Sequence, residues 1–120
     1  MYDPDHFRLE GQVAIVTGGG AGIGRAIART FAGAGAAVVV SDLRPDDADE
    51  AANEIQRSGG RAVAVACDVT EPDDLARLVD TANERFGSLT TLVSNAGGGG
   101  PKPFDMDMAD FRRAYELNVF

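Results

Sequence analysis

The 120-residue chain is poor in the side chains that build disulfides and metal sites, with one cysteine, Cys67, and one histidine, His6. A lone cysteine cannot form an internal disulfide, and a single histidine without a cysteine partner does not make a metal-binding cluster. The sequence therefore predicts neither a disulfide nor a metal site. We expect Cys67 to be a buried strand residue and His6 to lie in a surface arm.

Positive charge is also scarce, because 11 Lys and Arg stand against 19 Asp and Glu, a formal net charge of -8. Such a surface repels phosphate backbones and anionic lipids. No stretch approaches 18 uninterrupted apolar residues, and the first dozen residues lack the apolar segment of a secretory signal. The composition predicts a soluble, cytoplasmic protein with no nucleic-acid or membrane partner, and the length suits one domain.

Four apolar runs recur along the chain, and each ends in a glycine or a polar residue. They are VAIVTG, AVVVSD, AVAVACD and TLVSN, which end at Gly18, Asp42, Asp68 and Asn95, spaced 24, 26 and 27 residues apart. The runs are rich in Val and Ala and do not alternate with polar residues. This pattern is typical of parallel strands that helices cover on both faces.

The segments between these runs have helical periodicity. We predict helices from Ile23 to the glycines at 33 and 35, over 46–57, over 72–86 with Gly87 as C-cap, and from about 107 through 120. The predicted inward-facing positions are Ile23, Ala26, Ile27, Thr30 and Phe31 in the first helix, Ala48, Ala51, Ala52 and Ile55 in the second, and Leu75, Leu78, Val79, Ala82 and Phe86 in the third.

Strands that alternate with helices of this length predict an α/β fold, a Rossmann-type doubly wound parallel sheet with strand order 3-2-1-4. Ligands of such sheets bind at the carboxyl ends of the strands. Because these ends meet at one edge, we expect Gly18, Asp42, Asp68 and Asn95 to lie side by side there. Function is to be sought at this edge.

The turn after the first strand, TGGGAGIGRAIA, is rich in glycine. Glycines permit a tight turn and a close approach to a pyrophosphate, whose charge the N-terminus of the next helix attracts. In this interpretation Gly18 makes the turn, Gly22 allows the approach and Gly24 lets helix and strand pack. The residue types thus predict a dinucleotide site.

An acid at the end of the second strand strengthens this interpretation, because Asp42 follows Gly24 by 18 residues. Its carboxylate can accept both hydroxyls of an adenosine ribose and would repel a 2′-phosphate, which favours NAD over NADP. Arg44 weakens that preference, since a guanidinium could turn toward a 2′-phosphate.

Two other interpretations of the glycine turn stay open at this point. A methyltransferase turn, GxGxG with an acid after the second strand, fits Gly18, Gly20 and Gly22 equally well, and the glycines could also serve only as a tight connection. A P-loop is excluded, because Arg25 and Ala26 stand where Lys and Ser or Thr are required.

Three motifs together resemble the short-chain dehydrogenase/reductase family over residues 9–120: the Thr17-Gly18-x-x-x-Gly22-x-Gly24 turn, Asn95-Ala96-Gly97, and Asn118 within the last predicted helix. The resemblance disfavours a methyltransferase. The stretches NAGGGGPKPFDM and ADFRRAYELNVF are similar to bacterial members that use NAD to oxidise a hydroxyl of a bile-acid nucleus. The implied substrate is a secondary alcohol or ketone, with sugars or acyl-carrier substrates as alternatives.

The resemblance also implies a role for individual residues. The implied cofactor contacts are the backbones of Gly18 and Ile23 at the pyrophosphate, Asp42 at the adenosine ribose, Leu43, Asp68 and the Val69 N–H at the adenine, and Asn95 at the nicotinamide-side ribose. Asn118 would be catalytic, because in the family it frees a helical carbonyl to bind a water of the proton relay. The Gly99 backbone would contact substrate, so SNAGGGGPKPFD is interpreted as an active-site wall and not as a linker.

The chain departs from the family pattern in two ways. Ser94 stands where many members have a second asparagine. The catalytic Ser and Tyr-x-x-x-Lys are absent, because Lys102 is the only lysine and neither tyrosine has a lysine four residues later.

The predicted last helix runs to Phe120 without a cap, so we expect residues 1–120 to be the N-terminal half of a single NAD-binding domain. The alternative is a stand-alone nucleotide-binding module. Family members commonly pair this helix across a dimer or tetramer axis, and its apolar residues therefore predict a homo-oligomer. The alternative is that the other half of the domain covers these residues.

Overall fold

The computed structural model describes residues 8–95 and the backbone of residues 118 and 119. Strands and helices alternate along the described chain, as predicted. The elements are β1 (Val13–Thr17), α1 (Gly22–Gly33), β2 (Ala37–Asp42), α2 (Pro45–Arg57), β3 (Arg61–Ala66), α3 (Pro72–Phe86), β4 (Thr91–Val93) and β5 (Asn118–Val119).

The five strands form one parallel sheet in the order β3-β2-β1-β4-β5, which confirms the predicted 3-2-1-4 order and adds β5 beside β4. Thr17 pairs with Ser41, and Asp42 pairs with Ala66. The carboxyl ends of β1, β2 and β3 therefore lie next to one another at one edge of the sheet.

The prediction that Asn118 lies inside a helix is wrong. Asn118 and Val119 form a short strand that pairs in parallel with Thr91 and Leu92 of β4. The outer edge of β4 offers main-chain N–H and C=O groups to a neighbour, and the β-branched Val119 suits a strand. Pairing with a distant part of the chain thus prevails here over the local helical pattern.

The sheet is covered on both faces, because successive residues of its central strands pack into two different clusters. Val39 packs with Leu78 and Leu92 beneath α3. Val38 and Val40 pack on the opposite face beneath α1 and α2. This arrangement is the predicted doubly wound architecture.

The faces that the helices bury match the prediction for α2 and α3 but not for α1. The predicted positions of α2 are all buried, as are those of α3 apart from the half-buried Phe86, and Gly87 caps α3 with a φ of 83°. In α1 the buried residues are Gly24, Ala28 and Ala32, whereas Ile23 is 75% exposed. Small residues four apart bring α1 close to the sheet, so its larger side chains are displaced toward the flanks.

Cys67 is buried, as predicted, although it follows the last residue of β3. None of the helices among the described residues is long and apolar enough to span a bilayer.

Candidate functional site

The turn between β1 and α1 rests on the end of β2. Gly18 and Gly22 have φ angles of 62° and 58°, a left-handed conformation that glycine adopts without strain. The Gly19 N–H donates to the Ser41 carbonyl over 2.8 Å. A Cβ on Gly22 would meet no atom within 4 Å, so the turn is open on that side, as a close approach to a ligand requires.

Gly24 packs tightly at the start of α1. A Cβ at this position would collide with the Gly18 carbonyl oxygen and lie 2.5 Å from Nδ2 of Asn95. The helix therefore begins in direct contact with both the turn and the end of β4, in agreement with the packing role predicted for Gly24.

The N-terminus of α1 differs from those of the other two described helices. None of the three N-cap residues makes a side-chain cap hydrogen bond, but the first turn of α1 contains no acid. The first turns of α2 and α3 each contain two aspartates. Because the positive end of α1 has no carboxylate of its own, it suits an anionic ligand group.

The carboxylate of Asp42 is oriented by the main chain. Its Oδ2 accepts the Gly20 N–H at 3.0 Å, and its Oδ1 accepts the Arg44 N–H at 3.0 Å. A carboxylate oxygen can accept more than one hydrogen bond, so both can still take a hydroxyl. Leu43, beside it, is 70% exposed.

Gly20 leaves no room for a side chain on this side of Asp42. A Cβ on Gly20 would lie 2.7 Å from Cβ of Asp47 and 2.9 Å from Oδ2 of Asp42. The turn, the end of β2 and the start of α2 thus meet at a position that only glycine fits.

Asp68 follows the end of β3. Its Oδ1 accepts hydrogen bonds from the Thr70 hydroxyl at 2.6 Å and the Thr70 N–H at 3.0 Å. These bonds hold the pKa of Asp68 below its ordinary value, and the bond from the Thr70 hydroxyl has the larger effect. Val69 is half-buried and packs its side chain against the core beneath α3, so this turn is anchored on the sheet.

Asn95 connects the ends of β1 and β4. Its Nδ2 donates to the Gly18 carbonyl at 3.3 Å, and its main-chain N–H donates to Oγ1 of Thr17 at 3.0 Å. The Thr17 hydroxyl donates in turn to the Val93 carbonyl at 3.2 Å. The amide of Asn95 thus braces the end of the strand.

The structure brings most of the predicted site residues to one edge. Gly18, Asp42, Asp68 and Asn95 follow or end four neighbouring strands, and Leu43 and Ile23 expose apolar side chains beside them. Asn118 begins β5 at the outer edge of the sheet. Gly99 and the rest of the glycine stretch from residue 96 lie outside the described residues, as do His6, Lys102 and residues 107–117.

The sequence predicted no positioning role for Thr17, Gly20 or Asp74. The Thr17 hydroxyl accepts the Asn95 N–H, the Gly20 N–H donates to Asp42, and Oδ2 of Asp74 accepts the Asp68 N–H at 2.9 Å. The sequence could have indicated the role of Thr17, because its hydroxyl stands at the end of an otherwise apolar strand. An acid in the first turn of a helix is too common for the sequence to single out Asp74.

Comparison with known proteins identifies a family and close relatives. The sequence profile of the family described as short chain dehydrogenase matches residues 12–120. The 7alpha-hydroxysteroid dehydrogenase of Escherichia coli (strain K12) is 59% identical over 120 residues, which cover 100% of this chain and 47% of the relative. The cis-4-hydroxycyclohexanecarboxylate dehydrogenase of Sinomonas cyclohexanicum is 44% identical over 110 residues, covering 90% of this chain and 44% of the relative.

A solved structure agrees with this similarity. A 7 alpha-hydroxysteroid dehydrogenase complexed with NADH and 7-oxo glycochenodeoxycholic acid superposes with a TM-score of 0.79 at 58% identity, over 98% of this chain and 46% of that chain. The chain spans about half the length of the curated relatives that it matches.

Proposed function

Because the chain belongs to the short chain dehydrogenase family, we propose that the protein is an NAD-dependent oxidoreductase that transfers hydride between the cofactor and a secondary alcohol or ketone. The observation that carries the proposal is the juxtaposition of the glycine turn, the acid-free N-terminus of α1 and the Asp42 carboxylate, which Gly20 and Arg44 orient.

The described residues fit NAD part by part. The backbones of Gly18 and Ile23, at the end of α1 that carries no acid, suit the pyrophosphate. Asp42 offers oriented acceptors to the adenosine ribose. The proposed adenine contacts are Leu43, Asp68 and Val69, and the proposed contact of the nicotinamide-side ribose is Asn95. When bound, NAD supplies the group that accepts or donates the hydride.

The surroundings of Asp42 favour NAD over NADP. A 2′-phosphate would face the Asp42 carboxylate, with Asp47 close behind Gly20. Acids close to the ribose position oppose an additional phosphate by like-charge repulsion.

We place the catalytic Ser and the Tyr-x-x-x-Lys pair of the family outside these 120 residues, which contain no Tyr-x-x-x-Lys. Residues 1–120 are then the N-terminal half of one NAD-binding domain. Asn118 remains a proposed catalytic residue on the family resemblance alone, because its place in β5 does not provide the helical carbonyl on which that role depends. Gly99 remains a proposed substrate contact. A cytoplasmic homo-oligomer, a dimer or tetramer, is the assembly that we propose.

The proposed substrate is a 7α-hydroxysteroid, on the strength of 59% identity to the Escherichia coli 7alpha-hydroxysteroid dehydrogenase. The 44% identical cis-4-hydroxycyclohexanecarboxylate dehydrogenase makes a smaller hydroxylated ring acid the second candidate. By their names, both relatives act on a hydroxyl carried by a ring system, and this shared feature supports a cyclic secondary alcohol.

Turnover of defined alcohols tests the proposal. The full-length protein is mixed with NAD and either a 7α-hydroxy bile acid, its 7β epimer, cis-4-hydroxycyclohexanecarboxylate or glucose, and NADH formation is followed by absorbance. We expect turnover of the 7α epimer and little of the 7β epimer. Turnover of the cyclohexane acid or glucose alone would replace the steroid proposal, and NAD binding without any turnover would favour a nucleotide-binding module.

A further inference from the structure

We propose that Asp74, supported by Arg77, is a positioning residue for the cofactor, because it holds in place the strand end from which Asp68 reaches the adenine. This inference rests on the proposed NAD site. It assigns a task to two residues of α3 that are not themselves among the proposed cofactor contacts.

Asp74 and Arg77 hold the main chain on both sides of Cys67. The Asp68 N–H donates to Oδ2 of Asp74 at 2.9 Å, and Nη2 of Arg77 donates to the Ala66 carbonyl at 2.6 Å. Nη1 of Arg77 lies 3.3 Å from Oδ1 of Asp74. Since the two residues are three apart in a helix, they lie on one face and form a single brace.

The same segment is fixed from the sheet side. The Cys67 N–H donates to the Asp42 carbonyl at 3.0 Å. Residues 66–68 are thus held by α3 on one side and by β2 on the other, and β2 also carries the proposed ribose contact. The brace therefore sets the position of the adenine contact relative to the ribose contact.

Only one oxygen of the Asp68 carboxylate, Oδ2, is free of hydrogen bonds from the described residues and can accept one from a ligand. Both Thr70 bonds reach Oδ1, and no hydrogen bond from residues 8–95 reaches Oδ2. An adenine amino group is a donor, so Oδ2 is the atom that suits it. Whether Oδ2 reaches that donor depends on the main-chain position that Asp74 holds.

The contribution of Asp74 is more than that of a surface ion pair. The Arg77 side chain is 54% exposed, and such exposed pairs contribute little by themselves. The acceptor role is different, because the Asp74 carboxylate binds a main-chain N–H at the end of a strand and is only 26% exposed. Removal of the carboxylate leaves that N–H without its partner.

The experiment compares the affinities for NAD and for nicotinamide hypoxanthine dinucleotide, in which a carbonyl replaces the adenine amino group. Binding of each to the full-length protein is measured by calorimetry for the wild type, Asp74→Ala, Asp74→Asn, Arg77→Ala and Asp73→Ala. Asp73→Ala is the matched control, because it removes an exposed acid from the same helical turn.

We expect the wild type to prefer NAD. Asp74→Ala should weaken NAD binding about three- to tenfold and the hypoxanthine analogue much less, so the preference falls. Asp74→Asn keeps an acceptor oxygen and should restore most of the preference. Arg77→Ala should reduce the preference for NAD over the hypoxanthine analogue by a smaller factor. If Asp74→Ala does not fold, this variant tests the inference in its place. Asp73→Ala should leave the preference unchanged.

Equal losses of affinity for both dinucleotides would overturn the inference, because a merely structural role lowers both. If Asp74→Ala does not fold, an unchanged preference in Arg77→Ala would overturn it as well. Failure of the wild type to bind NAD is a separate result, which would overturn the proposed function itself.

Discussion

The turn after β1 and the turn after β3 lie at the same edge of the sheet, but different interactions fix their conformations. The turn after β1 is ordered by the absence of side chains, since Gly20 and Gly24 occupy positions where a Cβ would collide with neighbouring atoms. The turn after β3 is ordered by side chains, since Thr70 and Asp74 hold Asp68 through hydrogen bonds. The first turn therefore depends on positions that admit no Cβ, in addition to its hydrogen bonds to Ser41, Asp42 and Asn95, whereas the second is held by side-chain bonds that can be removed singly.

The difference matches the ligand groups proposed for the two turns. A pyrophosphate is bound by main-chain N–H groups and a helix dipole, and this binding depends on how closely the backbone can approach. An adenine is recognised by a particular donor and acceptor pattern, which side chains supply. We therefore expect substitutions in the glycine turn to have large effects and substitutions around Asp68 to have graded ones.

The largest effect is expected for Gly24→Ala. The added Cβ would collide with the main chain at Gly18 and with the Asn95 amide, so α1 would have to move away from the sheet. We expect a loss of about 3 kcal/mol in the free energy of unfolding, measured by urea denaturation, together with loss of NAD binding.

Gly33→Ala is the matched control for this substitution. Gly33 belongs to the same helix, and a Cβ there would meet no atom within 4 Å. Alanine also favours helix more than glycine does, so this variant should be as stable as the wild type or slightly more stable. Similar losses in both variants would show that the tight contact at Gly24 is not what orders the turn.

An effect on cofactor binding is expected for Asp42→Ala, which also removes the acceptor of the Gly20 and Arg44 N–H groups. The variant loses the proposed charge-assisted hydrogen bonds to the ribose, so NAD binding should weaken by about 1 to 3 kcal/mol and discrimination against NADP should decrease. Titration with both cofactors measures this. Asp49→Ala, an exposed acid of α2 with the same change of charge, should alter neither affinity. Unchanged NAD affinity in Asp42→Ala would remove Asp42 from the ribose site.

Gly20→Ala should have an intermediate effect on stability. Its Cβ would lie 2.7 Å from Cβ of Asp47, and the start of α2 would have to shift to admit it. We expect a loss of about 1 to 2 kcal/mol on unfolding, with weaker NAD binding because Asp42 loses its orientation. A variant with wild-type NAD affinity would show that the Gly20 N–H is not needed to orient the carboxylate.

The fold was largely predictable because its signals are local. Apolar runs, helix periodicity and terminal glycines predicted the first four strands, three helices and the shared edge of Gly18, Asp42, Asp68 and Asn95. Asn118 was assigned to a helix because its strand pairing with β4 depends on a partner 27 residues earlier in the chain, which local periodicity does not reveal.

The error in α1 has a different physical origin. Hydrophobicity placed Ile23 on the inward stripe, whereas the distance between helix and sheet is set by the small residues Gly24, Ala28 and Ala32. In the site, the residues with a proposed direct role were singled out by the family resemblance, and several of them by their position at strand ends. Asp74 was not, because its task follows from a hydrogen bond to the main chain six residues earlier and not from its residue type.

The smallest effect is expected where the second turn is altered by a single hydroxyl, in Thr70→Val. The Thr70 hydroxyl is the main cause of the lowered pKa of Asp68, so the variant should raise that pKa toward its ordinary value, which an NMR titration of the carboxyl carbon measures. A carboxyl with a lowered folded-state pKa contributes stability above its unfolded pKa and loses it as the pH falls through the folded value. The stability difference between wild type and Thr70→Val should therefore be constant at neutral pH and shrink in acid.

Thr81→Val is the control, because it removes a hydroxyl that donates to the Arg77 carbonyl and not to a carboxylate. Its stability difference from the wild type should be the same at every pH. If Thr70→Val behaves like Thr81→Val, the hydroxyl does not stabilise the ionised carboxylate, and the contrast between the two turns would rest on Asp74 alone.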